Sequence, residues 1–169
     1  HQQLAGTISM LSRAPAAILD EAAALGRLGV REINLIAQDT TDYGWDLGIK
    51  DGLATLLTDL LQAAPAVDWF RILYAYPGYV TPHLIETMAA NPRLLPYLDM
   101  PLQHAHPATL RRMRRPANVD WVHRTIESMR QAMPDLALRT TFIVGYPGES
   151  EAEFETLLGF VNEMRFDRV

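Results

Sequence analysis

The side chains able to do chemistry gather in four short stretches. These are Gln38-Asp39-Thr40-Thr41, Tyr74-Ala75-Tyr76-Pro77, Pro101-Leu102-Gln103-His104 and Gly145-Tyr146-Pro147-Gly148-Glu149. Each closes an apolar run of strand length. In parallel α/β folds, ligands bind at the C-terminal ends of strands, where such stretches meet on one rim. Singly, each also suits an ordinary turn, because Asp, Thr, Pro and Gly are turn residues. Four in succession argue for a binding rim. No general base or nucleophile stands out, so no catalytic side chain is assigned.

Strand periodicity sharpens the rim. Along Leu136 to Gly145, Arg139, Thr141, Ile143 and Gly145 share one face, and Leu138, Thr140, Phe142 and Val144 share the other. The second, mostly apolar face suits packing under helices; the first suits a lumen where a polar ligand approaches the backbone. Asp99, Pro101 and Gln103 form a similar set, as do Arg71, Leu73 and Ala75. Arg71, Asp99 and Arg139 are therefore expected near one another inside a barrel. A guanidinium there could hold a ligand carboxylate through two parallel hydrogen bonds. A buried ion pair is the competing account of Asp99 with either arginine. For Arg139, at the strand carrying the glycine-proline turn, the ligand role is favoured.

His104 and His106 stand two apart after a strand, but no third ligand is evident, so no metal is assigned to them. His83 and His123 fall on predicted helices as surface residues. The one basic cluster, Arg111-Arg112-Met113-Arg114-Arg115-Pro116, reads as a solvated helix end rather than a contact for an acidic or nucleic-acid partner.

Composition narrows the classes. With no cysteine, the chain can hold neither a disulfide nor a thiolate-bound metal. Its 169 residues, 49% of them hydrophobic, suffice for one domain with its own core. A net charge of −5 argues against a dedicated nucleic-acid surface. No apolar run is long enough to span a bilayer, and nothing at the start reads as a signal peptide, so the expected compartment is the cytoplasm. The first residue, His1, and the last, Arg168-Val169, read as cut ends.

The elements that must position the rim alternate between helix and strand, which implies βαβ units and a parallel sheet. A helix is expected from Pro15 to Leu28, stopped by Gly29, then a buried strand over Val30 to Ala37 and a polar loop, Gln38 to Lys50. Leu53, Leu56, Leu57, Leu60 and Leu61 follow the spacing of an amphipathic helix. Trp69 to Ala75 is the second strand, and Thr81-Pro82 opens a helix as N-cap and first-turn proline. A third strand is expected over Tyr97 to Leu102, followed by an irregular segment. Val122, Ile126, Met129 and Met133 mark another helix, and Leu136 to Gly145 the fourth strand. Ser150 and Glu153 fit a capping box, with Phe154, Leu157, Leu158 and Val161 inward. A fifth strand is expected from Phe166.

Three motifs carry a family resemblance. Leu35-Ile36-Ala37-Gln38-Asp39-Thr40 with Tyr43-Gly44, Tyr97 to Ala105 followed by Met113-Arg114-Arg115-Pro116, and Arg139 to Glu149 resemble successive strand segments of radical S-adenosylmethionine (SAM) methylthiotransferases. The resemblance runs from about Ala16 to Val169. The tRNA-modifying branch has Gln-Asn-Val at Gln38-Asp39-Thr40 and Gln-Ser-Gly at Gln103-His104-Ala105. The chain is more similar to the branch that modifies a small-subunit ribosomal protein. Ser12-Arg13-Ala14-Pro15 departs from the family's Ser-Arg-Pro, and His106 stands where a serine is common.

The resemblance implies an α/β fold with a parallel sheet, a partial (β/α) barrel of the radical SAM type with its first strand missing. Residues 1–169 would be a fragment of the core domain. The N-terminal methylthiotransferase domain, the Cys-x3-Cys-x2-Cys loop upstream of His1 and the C-terminal TRAM domain would lie outside it. It also implies SAM and two four-iron four-sulfur clusters in the full enzyme, with cluster ligands absent from this chain. The partner would be a ribosomal protein, with neither membrane nor nucleic acid for this domain. Gln38 and Asp39 would hold the SAM amino group, with Thr40 and Tyr74 also on the cofactor side. Arg139 and Thr141 would meet the methionine or ribose portion, and Ile143 with Gly145 would border the adenine. Gln103 and His104 would face the substrate. The competing readings are the tRNA-modifying branch and a non-catalytic barrel that binds a metabolite.

Overall fold

A computed structural model describes residues 11–169. The expectations resting on His1 and its neighbours up to residue 10 lie outside the described residues. Four strands form one all-parallel sheet in the order β1-β2-β3-β4. They are β1 (Glu32–Ile36), β2 (Trp69–Leu73), β3 (Leu94–Asp99) and β4 (Ala137–Arg139). Parallel pairing needs a crossover between strands, usually helical. Here the helices are α1 (Pro15–Arg27), α2 (Gly52–Ala63), α3 (Pro82–Ala90), α4 (Pro107–Arg112), α5 (Val119–Ala132) and α6 (Glu151–Met164). This is the α/β, parallel-sheet architecture the sequence implies.

Local signals set the helix ends. Gly29, at φ +84°, ends α1, and the Val30 N–H closes back on the Leu25 carbonyl at 3.1 Å. The Thr81 hydroxyl accepts the Leu84 N–H at 3.2 Å ahead of Pro82. Ser150 and Glu153 form the reciprocal capping box that opens α6. Arg93, at the turn into β3, donates to the carbonyls of Leu61, Ala64 and Val67 and so ties the end of α2 to the sheet.

The core lies on one face of the sheet. Phe70, Ile72, Leu98 and Leu138 face it from the strands, packed with Leu57 and Leu60 of α2, Leu84 and Met88 of α3, and Ile126 and Met129 of α5. The register pairs Ile72 with Leu98 and Leu98 with Leu138, so these side chains point the same way. Alternation puts Arg71, Leu73, Tyr97, Asp99 and Arg139 on the opposite face.

Several expected boundaries shift. β2 stops at Leu73, because Tyr74 adopts φ +59° and turns the chain; Ala75 consequently joins the core instead of sharing a face with Leu73. β3 begins at Leu94 and ends at Asp99, earlier than the expected Tyr97 to Leu102. The expected strand Leu136 to Gly145 is regular only over Ala137–Arg139. After the Met100 N–H bonds the Arg139 carbonyl, no backbone bond joins the two segments until the Gln103 N–H bonds the Thr141 carbonyl. The Thr140 hydroxyl fills in by donating to the Met100 carbonyl at 2.8 Å. Pairing then resumes at a single bridge, Gln103 with Phe142. Val144 is exposed, as is Leu158, which the helical spacing had placed inward; Phe160 and Met164 are buried in α6 instead. The fifth strand is one bridge, Arg168 with Arg139. The segment expected to be irregular contains α4.

Candidate cofactor-binding rim

The strand ends meet as a stitched set of loops. At the end of β1, the Thr40 hydroxyl lies 2.9 Å from the Leu73 carbonyl and 3.2 Å from that of Tyr74, and its N–H also reaches Tyr74 at 3.0 Å. The Thr41 hydroxyl accepts the Tyr76 N–H at 3.1 Å. One carboxylate oxygen of Asp39 takes the Thr41 N–H at 2.9 Å and its hydroxyl at 2.5 Å. Thr40, expected on the cofactor side, is a buried fastener between the first two strand ends, its hydroxyl bonded to backbone while the residue borders the cleft described next. Gln38 is exposed and Asp39 half-buried; both line a cleft of about 870 Å³ along β1, with Ile36, Tyr43, Trp45 and Leu56.

That cleft is acidic. Asp39, Asp42 and Asp46 all border it. Burial first, then the neighbouring Asp39 and Asp46 carboxylates, push the Asp42 carboxyl above its ordinary value. Three carboxylates so placed favour a cationic group.

At the end of β2, Tyr74 is 43% exposed and holds a left-handed backbone. At the end of β3, Gln103 does the same at φ +69°. A non-glycine residue in that region is strained, and such residues concentrate at ligand sites.

Asp99 and Arg139 sit side by side in the register, and the arginine Nη1 donates to Asp99 Oδ2 at 2.9 Å. Asp99 is 2% exposed, and among the described residues its Oδ1 is a buried side-chain atom with no hydrogen-bond partner. The Arg139 side chain is 46% exposed, on the face away from the core, with donors to spare. Arg71 lies on the same face but pairs with Glu32 at 2.7 Å and stacks 4.8 Å from the Tyr97 ring centre. The expected trio is thus a pair, with Arg71 engaged elsewhere.

Arg139 and Thr141 line a second hollow of about 740 Å³ with Phe142, Val144 and Arg168. Gln38 and Asp39 are not among its walls, so the sequence-predicted rim divides between two hollows. Ile143 is exposed, and Gly145, at φ +72°, has open space where a side chain would be.

His104, expected on the substrate side, lies in the interior. Its side chain is wholly buried, lining a small pocket with Tyr76, Pro101 and Leu102 and not an open surface. Its Nδ1 accepts the His106 N–H at 2.9 Å, and its Nε2 lies 3.4 Å from Glu149 Oε1. Periodicity missed this because positive φ at Gln103 breaks the alternation. Glu153 and Arg112 were also missed as a pair; they bond doubly, at 3.0 and 2.7 Å, across 41 residues of sequence.

The residues of each hollow suit a different part of a ligand such as SAM. A half-free guanidinium suits a carboxylate, the acidic cleft suits a cation, and the open backbone at Gly145 suits a flat ring. They offer no thiolate, so no iron–sulfur cluster is held by this chain.

Residues 6–161 match the family model described as the radical SAM superfamily, and the chain belongs to that family. The more particular likenesses are to proteins named ribosomal protein uS12 methylthiotransferase RimO. The protein from Herpetosiphon aurantiacus is 60% identical over 161 residues, covering 95% of this chain and 34% of the relative. That from Chloroflexus aurantiacus is 58% identical, covering 95% and 35%. The chain thus spans about a third of the length of these relatives. Among solved structures, the radical SAM methyltransferase TsrM from Kitasatospora setae superposes with a TM-score of 0.69 at 12% identity, covering 91% of this chain and 29% of that one. The shared fold bears out the partial barrel. Among the described residues no helix is long and apolar enough to cross a membrane.

Proposed function

We propose that this chain is the central portion of a radical SAM methylthiotransferase that adds a methylthio group to an aspartate of a small-subunit ribosomal protein. The observation that carries the reading is the 60% identity, over nearly the whole chain, to a protein named for that activity on uS12. The tRNA-modifying alternative lacks comparable support.

In this reading SAM supplies radical chemistry that takes hydrogen from an unactivated carbon. A second cluster, as the family resemblance implies, serves sulfur transfer from outside these residues. The chain's own part is binding and orientation. Arg139, held by Asp99, presents its remaining donors to the SAM carboxylate. Asp39, with Asp42 and Asp46 behind it, gives the β1 end a negative field that favours a cationic cofactor, and Gln38 adds an amide there. Thr141 meets the ribose, Tyr74 supplies an aromatic ring, and Ile143 with Gly145 borders the adenine. Gln103 lies toward the substrate. The protein acts in the cytoplasm, and the 169-residue chain alone is catalytically silent because no cluster ligand is among its residues.

The test is to incubate the full-length, cluster-loaded protein separately with uS12 and with tRNA and analyse both by mass spectrometry. A methylthio group on a uS12 aspartate is expected. Modification of tRNA alone sinks the reading.

A further inference from the structure

The turn after β4 has little backbone support. The last backbone bond from this segment to the β3 side is that of the Ile143 N–H to the Gln103 carbonyl, at 2.8 Å. From Val144 to Glu149 the backbone bonds are internal, with the Glu149 N–H returning to the Tyr146 carbonyl at 2.8 Å. Two side-chain links remain. The Tyr146 hydroxyl reaches the Arg112 carbonyl at 3.2 Å, and Glu149 reaches His104. Glu149 Oε2 closes the turn by accepting the Tyr146 N–H at 2.8 Å, while Oε1 faces the histidine Nε2 at 3.4 Å. Both side chains are nearly or wholly buried.

The His104 ring is oriented from its other side. Its Nδ1 accepts the His106 N–H, so a neutral ring carries its proton on Nε2, aimed at Glu149. Burial pushes the Glu149 carboxyl up, but the Tyr146 N–H and the His104 ring outweigh it and hold it below its ordinary value. Glu149 is thus a buried anion whose outward oxygen faces one imidazole. Arg112, the nearest cation, is committed to Glu153, and His106 Nδ1 lies 3.4 Å from that same carboxylate. Removing the imidazole would strand Glu149 Oε1 and release the turn.

We infer that His104 is a positioning residue. Through Glu149 it fixes the Gly145–Glu149 turn, and with it the wall that Ile143 and Gly145 offer to an adenosyl group. This rests on the proposal that those two residues border adenine.

The experiment uses the full-length, cluster-loaded protein and S-adenosylhomocysteine as probe, reading the dissociation constant by calorimetry and the thermal midpoint in parallel. His104→Leu should weaken binding roughly tenfold, and His104→Gln, which offers both a donor and an acceptor, should restore most of it. Glu149→Gln should weaken binding similarly, and the double variant His104→Leu/Glu149→Gln should lose much less than the sum. A lowered midpoint with unchanged affinity would show a merely structural role and overturn the inference, as would additive losses. If His104→Leu does not fold, near-normal binding by His104→Gln with weakened binding by Glu149→Gln supports the inference, and the reverse sinks it. Wild-type protein that binds the probe but modifies no ribosomal protein defeats the functional reading alone. Wild-type protein that does not bind the probe defeats both.

Discussion

Tyr74 joins a strained backbone to the cofactor contact proposed for it. Its left-handed φ of +59° costs roughly 1–2 kcal/mol for an L-residue, and glycine would relieve it. Tyr74→Gly should therefore change unfolding free energy by less than about 1 kcal/mol while weakening SAM binding, because only the ring is lost. Tyr74→Val should lower stability as well, since a β-branched residue resists that conformation. Denaturant titration beside calorimetry with SAM separates the two; equal affinities for Tyr74→Gly and wild type would remove Tyr74 from the site. Arg139→Gln is expected to weaken binding of SAM but hardly that of its decarboxylated analogue. Equal losses for both would mean that the guanidinium does not meet the carboxylate.

Among the elements, α6 and the β1–β2 junction carry most of the consequence for the rim. Glu153 closes the capping box of α6 and binds Arg112; hydrogen bonds from Arg112, then the Ser150 N–H, lower its carboxyl from 4.5 to about 2. A carboxyl lowered in the folded state stabilises it above the unfolded value, and that stability is lost as pH falls through the folded value. The stability difference between wild type and Glu153→Gln should thus be full near neutral pH and shrink from about pH 4.5 down to about pH 2. Urea unfolding across that range checks it, and a constant difference would remove Glu153 as the cause. Thr40→Val should cost about 1 kcal/mol by removing the hydroxyl's bond to the Leu73 carbonyl at the end of β2. The capping box was legible because it is written in adjacent residues. The Arg112–Glu153 pair was not, because nothing local specifies which carboxylate a helix-end arginine will find.

For the whole molecule, among the described residues β1 pairs on one side only, and its Asn34 and Ile36 are exposed beside the acidic cleft. An uncovered strand edge invites pairing with another chain. The 169-residue chain alone should self-associate with rising concentration in size-exclusion chromatography, and Ile36→Lys should reduce this. A monomer at all concentrations would contradict it.

The sequence by itself determined the alternating α/β order, the helix stops at Gly29 and starts at Thr81 and Ser150, the core face of the sheet and the four loops of the rim. All of these follow from period and capping, which act within a few residues. Only the folded molecule shows that Thr40 fastens two loops, that the Thr140 hydroxyl stands in for backbone where β4 breaks off, that Asp99 meets Arg139 and not Arg71, and that His104 turns inward to Glu149. Each depends on which groups meet across some forty residues of chain, and on backbone reversals at Tyr74 and Gln103 that interrupt the period from which the sequence is read.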